Sequence, residues 1–183
     1  VANAYMSEIQ LDTIANEWLS YIRKINMPLL LVQGNHDWTA KISADESTGF
    51  TKTEPFINYF SFKPMKNIGI VSNFGKRYYY YDDKVNKIRY IVLNDFEGIG
   101  ESDSYWGILE WISDEQINWF IDSLNVENNY SIVVFSHATT DSAIDGFVST
   151  NDILHKIMSA YNQKTTLNAI SRSTTTVFTH DLP

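Results

Sequence analysis

The sequence predicts a single α/β domain, and three observations support that prediction. Helix-like and strand-like patterns alternate along the chain, which is typical of α/β folds. The apolar runs at 29–33 and 130–135 are short and continuous, as in strands buried on both faces. The 183 residues are 44% hydrophobic, enough for one core but not for two. We therefore expect one domain over residues 1–183.

The first element is a predicted amphipathic helix from Ser7 to about Ile25. Ser7 and Gln10 have the spacing of a capping box, in which each end residue pairs with the other's backbone. Apolar residues then recur at helical spacing along one face, which we expect to pack on a sheet. They are Leu11, Ile14, Trp18, Ile22 and Ile25.

The predicted strand at 29–33 ends in Gly34, Asn35, His36 and Asp37. In an open α/β sheet, ligands bind just outside the carboxyl ends of the strands. An amide oxygen and an imidazole can both bind a divalent metal, and an imidazole or carboxylate can move a proton. The simpler alternative is a polar turn with a core histidine.

The middle of the chain contains one predicted hairpin. Its β-rich runs, at 77–81 and 87–94, flank a polar turn. Both faces are expected to be half-buried, and an aromatic platform for nucleic-acid bases is the less favoured alternative. Around the hairpin we expect a loop or short helix at 38–49, a short helix at 54–60 and a loop at 96–107.

The second half repeats the helix–strand order. Ser113 and Gln116 form another capping-box pattern, and a helix is predicted to about residue 124. The apolar strand at 130–135 is followed by His137. A loop at 141–149, a helix at 151–161 with a solvated His155, and a last strand at 174–178 complete the prediction.

Composition excludes several functional classes. The net charge of −8 disfavours nucleic acid as a partner, which needs a basic surface. No run is apolar and long enough to cross a bilayer, so no membrane partner is expected. The chain has no cysteine, which excludes disulfides and thiolate metal sites and fits a cytoplasmic location.

Residues 34–37 resemble the Gly-Asn-His-(Asp/Glu) fingerprint of the calcineurin-like metallophosphoesterase family, which also follows a buried strand. His137, after a second strand, is similar in placement to a metal-ligating histidine of that family. The resemblance implies layered mixed β-sheets flanked by helices. It also implies hydrolysis of a small phosphomonoester or phosphodiester at a site with two divalent metal ions (Mn, Fe or Zn).

The resemblance implies a role for each motif residue. Asn35 and His137 would bind the same metal ion, and His36 would donate a proton to the leaving group or stabilise phosphoryl charge. Asp37 would either orient His36 or cap the following turn. His180 is a candidate for the last metal-ligating histidine.

The chain also departs from the family pattern. The Asp-x-His and Gly-Asp motifs do not occur before Gly34, and the closing Gly-His-x-His is represented only by Thr179, His180 and Asp181. We therefore expect the chain to be a portion of the domain. Two alternatives remain open: a non-catalytic binding or structural module that has lost the first metal's ligands, and a nuclease.

Overall fold

The computed structural model describes most of the second half of the chain and parts of the first. The described residues are 13, 16–18, 20–22, 24–25, 30–32, 40–42, 48–50, 71–73, 77–95, 112–127, 129–137, 152–170 and 176–182. The predicted short helix at 54–60 and the predicted loops at 96–107 and 141–149 lie outside them. So do the motif residues 34–37.

The described part of the first predicted helix is helical at residues 13, 16–18 and 20–22. Its last turn tightens, because Lys24 N–H donates to Tyr21 O at 3.0 Å and Ile25 N–H donates to Ile22 O at 3.0 Å. The helix therefore ends close to the predicted position.

The largest sheet has four strands in the order β3-β4-β5-β6. These are β3 (Val71–Asn73), β4 (Tyr78–Asp83), β5 (Ile88–Val92) and β6 (Ser131–Phe135). The first three are antiparallel to their neighbours, and β5 and β6 are parallel. The mixed α/β content agrees with the predicted fold class, and strand β3 was not predicted.

The predicted hairpin is confirmed as β4 and β5, joined by a turn at residues 84–87. Asp83 organises this turn: its Oδ1 accepts hydrogen bonds from the backbone N–H groups of Val85 and Asn86, each at 3.0 Å. Lys87 completes the turn in the left-handed region, with φ 55°. The turn is therefore a property of the carboxylate at Asp83, the last residue of β4.

A cross-strand ion pair holds the same hairpin to the helix layer. Arg89 donates to both carboxylate oxygens of Asp82, at 2.7 and 2.8 Å, and to Ser123 O at 2.8 Å. Its guanidinium also lies over the Tyr80 ring, 3.9 Å from the centroid. Burial lowers the pKa of Arg89, but the hydrogen bonds and charge of Asp82 outweigh it, so the net pKa is raised.

The parallel strands β5 and β6 are joined through helix α1 (Asp114–Ser123), as a parallel connection requires. Ser113 is the N-cap, and its Oγ accepts from Gln116 N–H at 3.1 Å. The predicted apolar face is confirmed: Ile117, Phe120 and Leu124 are fully buried. The helix therefore packs on the sheet as its periodicity indicated.

Helix α2 (Asp152–Gln163) confirms the predicted helix and extends it by two residues. It ends in a Schellman motif: Thr165 N–H donates to Ala160 O at 3.0 Å, and Lys164 N–H donates to Tyr161 O at 3.2 Å. This geometry places Lys164 in the left-handed region, with φ 53°. His155 is exposed, as predicted.

An antiparallel pair, β7 (Thr166–Ile170) and β8 (Val177–Asp181), closes the described chain. The predicted last strand at 174–178 is wrong in its bounds, and β7 was not predicted. The alternation at 166–170 is masked in the sequence by two polar residues that face solvent, Thr166 and Asn168.

Residues 38–49 were predicted as a loop or short helix, and that prediction is wrong. The described residues there form a small antiparallel hairpin, β1 (Ala40–Ile42) with β2 (Thr48–Phe50). Strands of three residues are too short for a period-2 pattern to be distinguished from a loop.

The core lies between one face of the large sheet and the elements that follow it. It joins residues of β5, both helices and the β7–β8 pair in one cluster. Its members include Ile91, Leu93, Phe120, Ile157, Leu167 and Phe178. On the opposite face, a smaller cluster joins Tyr79 and Val92 to residues 30–32.

The two runs predicted as strands buried on both faces differ from that prediction. Residues 30–32 are half-buried and form no strand. Strand β6 exists, but its burial alternates: Ile132 and Val134 pack against the core, whereas Val133 and Phe135 are 37% and 39% exposed. Continuous apolar runs therefore overstated the burial, because one face of β6 contributes little to the core.

Candidate functional site

The candidate site lies at the edge of the large sheet where the parallel strands β5 and β6 both end. The register pairs Val92 with Phe135, the last residue of each strand. The ladder continues for one more hydrogen bond, from Leu93 N–H to Phe135 O at 2.9 Å. Carboxyl ends of parallel strands are where α/β folds bind ligands. We call this edge, formed by Asn94, Asp95, Ser136 and His137, the carboxyl rim.

The two strands contribute different chemistry to the carboxyl rim. His137 is exposed, so its imidazole is accessible to a ligand. Asn94 and Asp95 are 3% and 0% exposed. The rim therefore combines an accessible imidazole with a carboxylate taken out of water, and a buried carboxylate is costly unless it is stabilised by its surroundings.

Gln116 of helix α1 fixes the β5 side of the carboxyl rim. Its Oε1 accepts from Asn94 N–H at 2.8 Å, and its Nε2 donates to Asn94 O at 2.9 Å. Both groups of one residue are thus satisfied from one side, as a neighbouring strand would do. The capping-box prediction is therefore half right: Ser113 caps Gln116, but the Gln116 side chain binds Asn94.

The same helix end also contacts the strand that carries His180. Thr176, just before β8, donates a side-chain hydrogen bond to the Asp114 carboxylate. His180 lies four residues further along, ~13 Å of extended chain. It is half-buried on the same face of β8 as Phe178, whose ring centroid is 6.4 Å from that of the imidazole.

The backbone that leads into the motif is held by a tyrosine of the sheet. The Tyr79 hydroxyl accepts from Leu31 N–H at 2.6 Å and donates to Leu31 O at 2.7 Å. Burial raises the pKa of Tyr79 well above its ordinary value, more than the backbone hydrogen bond lowers it. Leu31 is three residues before Gly34, so the clamp lies at the entrance to the motif.

A comparison with protein families identifies the chain. The model of the calcineurin-like phosphoesterase family (Metallophos) matches residues 9–166. The chain belongs to the calcineurin-like phosphoesterase family. The resemblance inferred from residues 34–37 is thereby confirmed, and both Asn35 and His137 lie within the match, whereas His180 lies outside it. Searches of curated proteins and of solved structures found no match.

Members of the calcineurin-like phosphoesterase family typically use divalent metals. Within the described residues, no three His, Cys, Asp or Glu side chains are grouped so that they could hold a metal ion. Of the predicted ligands, His137 is at the carboxyl rim, His180 is on β8, and Asn35 is outside the described part of the chain. The described residues alone therefore do not form a complete metal centre.

Sequence reasoning missed Asn94, Asp95, Gln116 and Tyr79. The first two carry the same signal that identified His137, since polar residues follow an apolar strand at 88–93. The roles of Gln116 and Tyr79 depend on contacts with distant residues, at separations of 22 and 48 positions, and have no local signal. Among the described residues, no helix is long and apolar enough to cross a membrane.

Proposed function

We propose that this chain hydrolyses a phosphate ester, as a phosphatase or phosphodiesterase, with bound divalent metal ions. The observation that carries the proposal is the position of His137 directly after β6, at the carboxyl rim, in a chain that matches the family model. An exposed imidazole at that edge is available as a ligand, and strand ends of this kind form the binding crevices of α/β folds.

We propose that Asn35 and His137 hold one metal ion and that His180 contributes to the site. The amide oxygen and the imidazole nitrogen suit Mn, Fe or Zn, and two such ions are proposed. When bound, the ions lower the pKa of water and neutralise phosphoryl charge. Gln116 supports the site indirectly, because it fixes the backbone at Asn94 beside His137.

His36 and Asp37 are proposed to act on protons rather than on the metal. His36 would protonate the leaving-group oxygen or stabilise the charge that develops on the phosphoryl group. Asp37 would hold the imidazole in the required orientation, or cap the following turn. Asp37→Asn distinguishes these roles, since only the first shifts the pH profile of kcat.

The proposed substrate is a small phosphate ester. With 22 acidic and 14 basic side chains, the chain lacks the positive balance that attracts a polynucleotide backbone. A small ester requires only a local positive charge, which bound cations supply on an acidic protein. Nucleic acid is therefore the disfavoured substrate.

The experiment compares His137→Ala with His155→Ala in the presence of Mn²⁺ and a chromogenic phosphate ester. Both histidines are exposed, but His155 lies on helix α2 and away from the strand ends. The His137 variant should lose activity by a factor of about 100 or more, in the range measured for groups that stabilise charge in the transition state. The His155 variant should match the wild type. Full activity of the His137 variant would refute the proposal.

The alternative is a non-catalytic binding or structural module on the same scaffold. The lack of a three-ligand group among the described residues is the observation that favours it. Metal analysis separates the two functions: two equivalents of bound metal support the enzyme, whereas none, with no hydrolysis, supports the module.

A further inference from the structure

Tyr79 makes an unusual contact for a residue of a sheet. Its hydroxyl takes both hydrogen bonds of one distant residue, accepting from Leu31 N–H at 2.6 Å and donating to Leu31 O at 2.7 Å. In an extended residue both groups point to the same side, where a neighbouring strand normally binds them. Leu31 forms no strand, so the hydroxyl takes the place of that neighbour.

The contact is well protected from solvent on the sheet side. Tyr79 is 2% exposed and packs with the fully buried Val92 against residues 30–32. A single oxygen atom thus fixes both the position and the direction of the backbone at Leu31. Replacing it by hydrogen would leave two half-buried peptide groups without this partner.

We propose that Tyr79 is a positioning residue for the phosphoesterase site, acting through the backbone of Leu31. Gly34 is three residues beyond Leu31 and Asn35 four, so the direction of the chain at Leu31 sets the approach of the motif to the sheet edge. This inference rests on the proposed function, because it assigns Tyr79 a role only if Asn35 binds metal.

The register strengthens the inference, because it ties the clamp to the strand that ends at the carboxyl rim. Tyr79 pairs with Val92, the last residue of β5, and Val92 pairs with Phe135, the last residue of β6. The hydroxyl therefore holds Leu31 against the same end of the sheet from which His137 emerges. A shift of Leu31 would change the separation of the motif from His137.

The test uses Tyr79→Phe and, as a matched control, Tyr81→Phe. The two tyrosines lie two positions apart on the same face of β4, and Tyr81 stacks on Tyr90 with centroids 6.3 Å apart. Each substitution removes one hydroxyl and keeps the ring. Titration with Mn²⁺ alone gives the metal affinity, and amide hydrogen exchange at Leu31, followed by NMR, reports the clamp itself.

Tyr79→Phe should accelerate exchange at Leu31 and weaken Mn²⁺ binding by about tenfold, the lower end of the effect of removing groups that support metal ligands. Tyr81→Phe should change neither quantity. Unchanged Mn²⁺ affinity in Tyr79→Phe, with faster exchange at Leu31, would overturn the inference and leave the hydroxyl a purely structural role.

The two proposals fail in different ways. If the wild-type protein neither binds Mn²⁺ nor hydrolyses the ester, the proposed function is wrong and the positioning role is wrong with it. If the wild type binds Mn²⁺ and hydrolyses the ester, and Tyr79→Phe has the same affinity, only the positioning role is wrong. Both titrations are made well below the unfolding temperature of each variant, so that loss of fold does not mimic loss of binding.

Discussion

Replacing Gln116 by methionine should cause a large loss of stability. Methionine has a similar shape but cannot hydrogen-bond to the backbone of Asn94, whose N–H and C=O bind Gln116 at 2.8 and 2.9 Å. Asn94 is 3% exposed, so water cannot easily replace the lost partner. Each buried group left unsatisfied costs about 1–3 kcal/mol, which gives roughly 2–6 kcal/mol for the pair.

Urea denaturation followed by tryptophan fluorescence measures this loss. With a slope of about 2–3 kcal/mol per molar urea, the midpoint of Gln116→Met should fall by roughly 1–2 M. The matched control is Gln163→Met, because Gln163 is exposed and its amide binds only a nearby Ser159 hydroxyl, at 3.0 Å. That variant should stay within about 0.5 kcal/mol of the wild type. Equal midpoints for the two variants would refute the role assigned to Gln116.

Three further predictions follow from the described contacts. Lys164→Gly should raise the free energy of unfolding by roughly 0.5–1 kcal/mol, because Lys164 has φ 53°, whereas Lys164→Ala, which keeps the Cβ, should give no gain in a urea titration. Tyr79 has a folded-state pKa raised above 10.0, so its stabilisation is complete below about pH 10 and is lost as the pH rises further. The wild type should therefore lose about 1.4 kcal/mol per pH unit more than Tyr79→Phe in alkaline denaturation, and parallel curves would contradict this. Arg89→Met should cost about 3 kcal/mol, because it leaves Asp82 and Ser123 O without their donor; Arg89→Met combined with Asp82→Asn should recover part of the loss in calorimetry.

Elements with a clear period or cap could be predicted from the sequence. Helix α1 follows from Ser113 and the spacing of Ile117, Phe120 and Leu124, and the β4–β5 hairpin follows from its two β-rich runs around a polar turn. The strand before His137 was also predicted, and its position at the sheet edge is confirmed. These features depend on residues close together in the sequence, so local patterns contain the information.

The features that could not be predicted depend on distant contacts or on very short segments. Residues 30–32 have the composition of a strand, yet Leu31 is held by the Tyr79 side chain instead of a strand neighbour. Gln116 has the spacing of a capping box, yet its side chain binds Asn94. Strands β1, β2 and β3 have three residues each, too few for a periodic signal.

The candidate site divides in the same way. A histidine after an apolar strand is visible in the sequence, and this pattern identified His137. The neighbouring Asp95 was overlooked because it follows the hairpin strand β5, whose parallel pairing with β6 could not be inferred from the sequence. Only that pairing brings the ends of the two strands to one edge.

The central claim is that His36 and His137 meet at one metal-binding crevice. A crystal structure of the protein grown with zinc, with anomalous diffraction at the zinc edge, tests it most directly. We predict a zinc ion bonded to the His137 imidazole and the Asn35 amide oxygen, with the His36 imidazole facing the same crevice. A zinc-free His137 with His36 on the opposite side of the sheet would contradict the proposed hydrolysis.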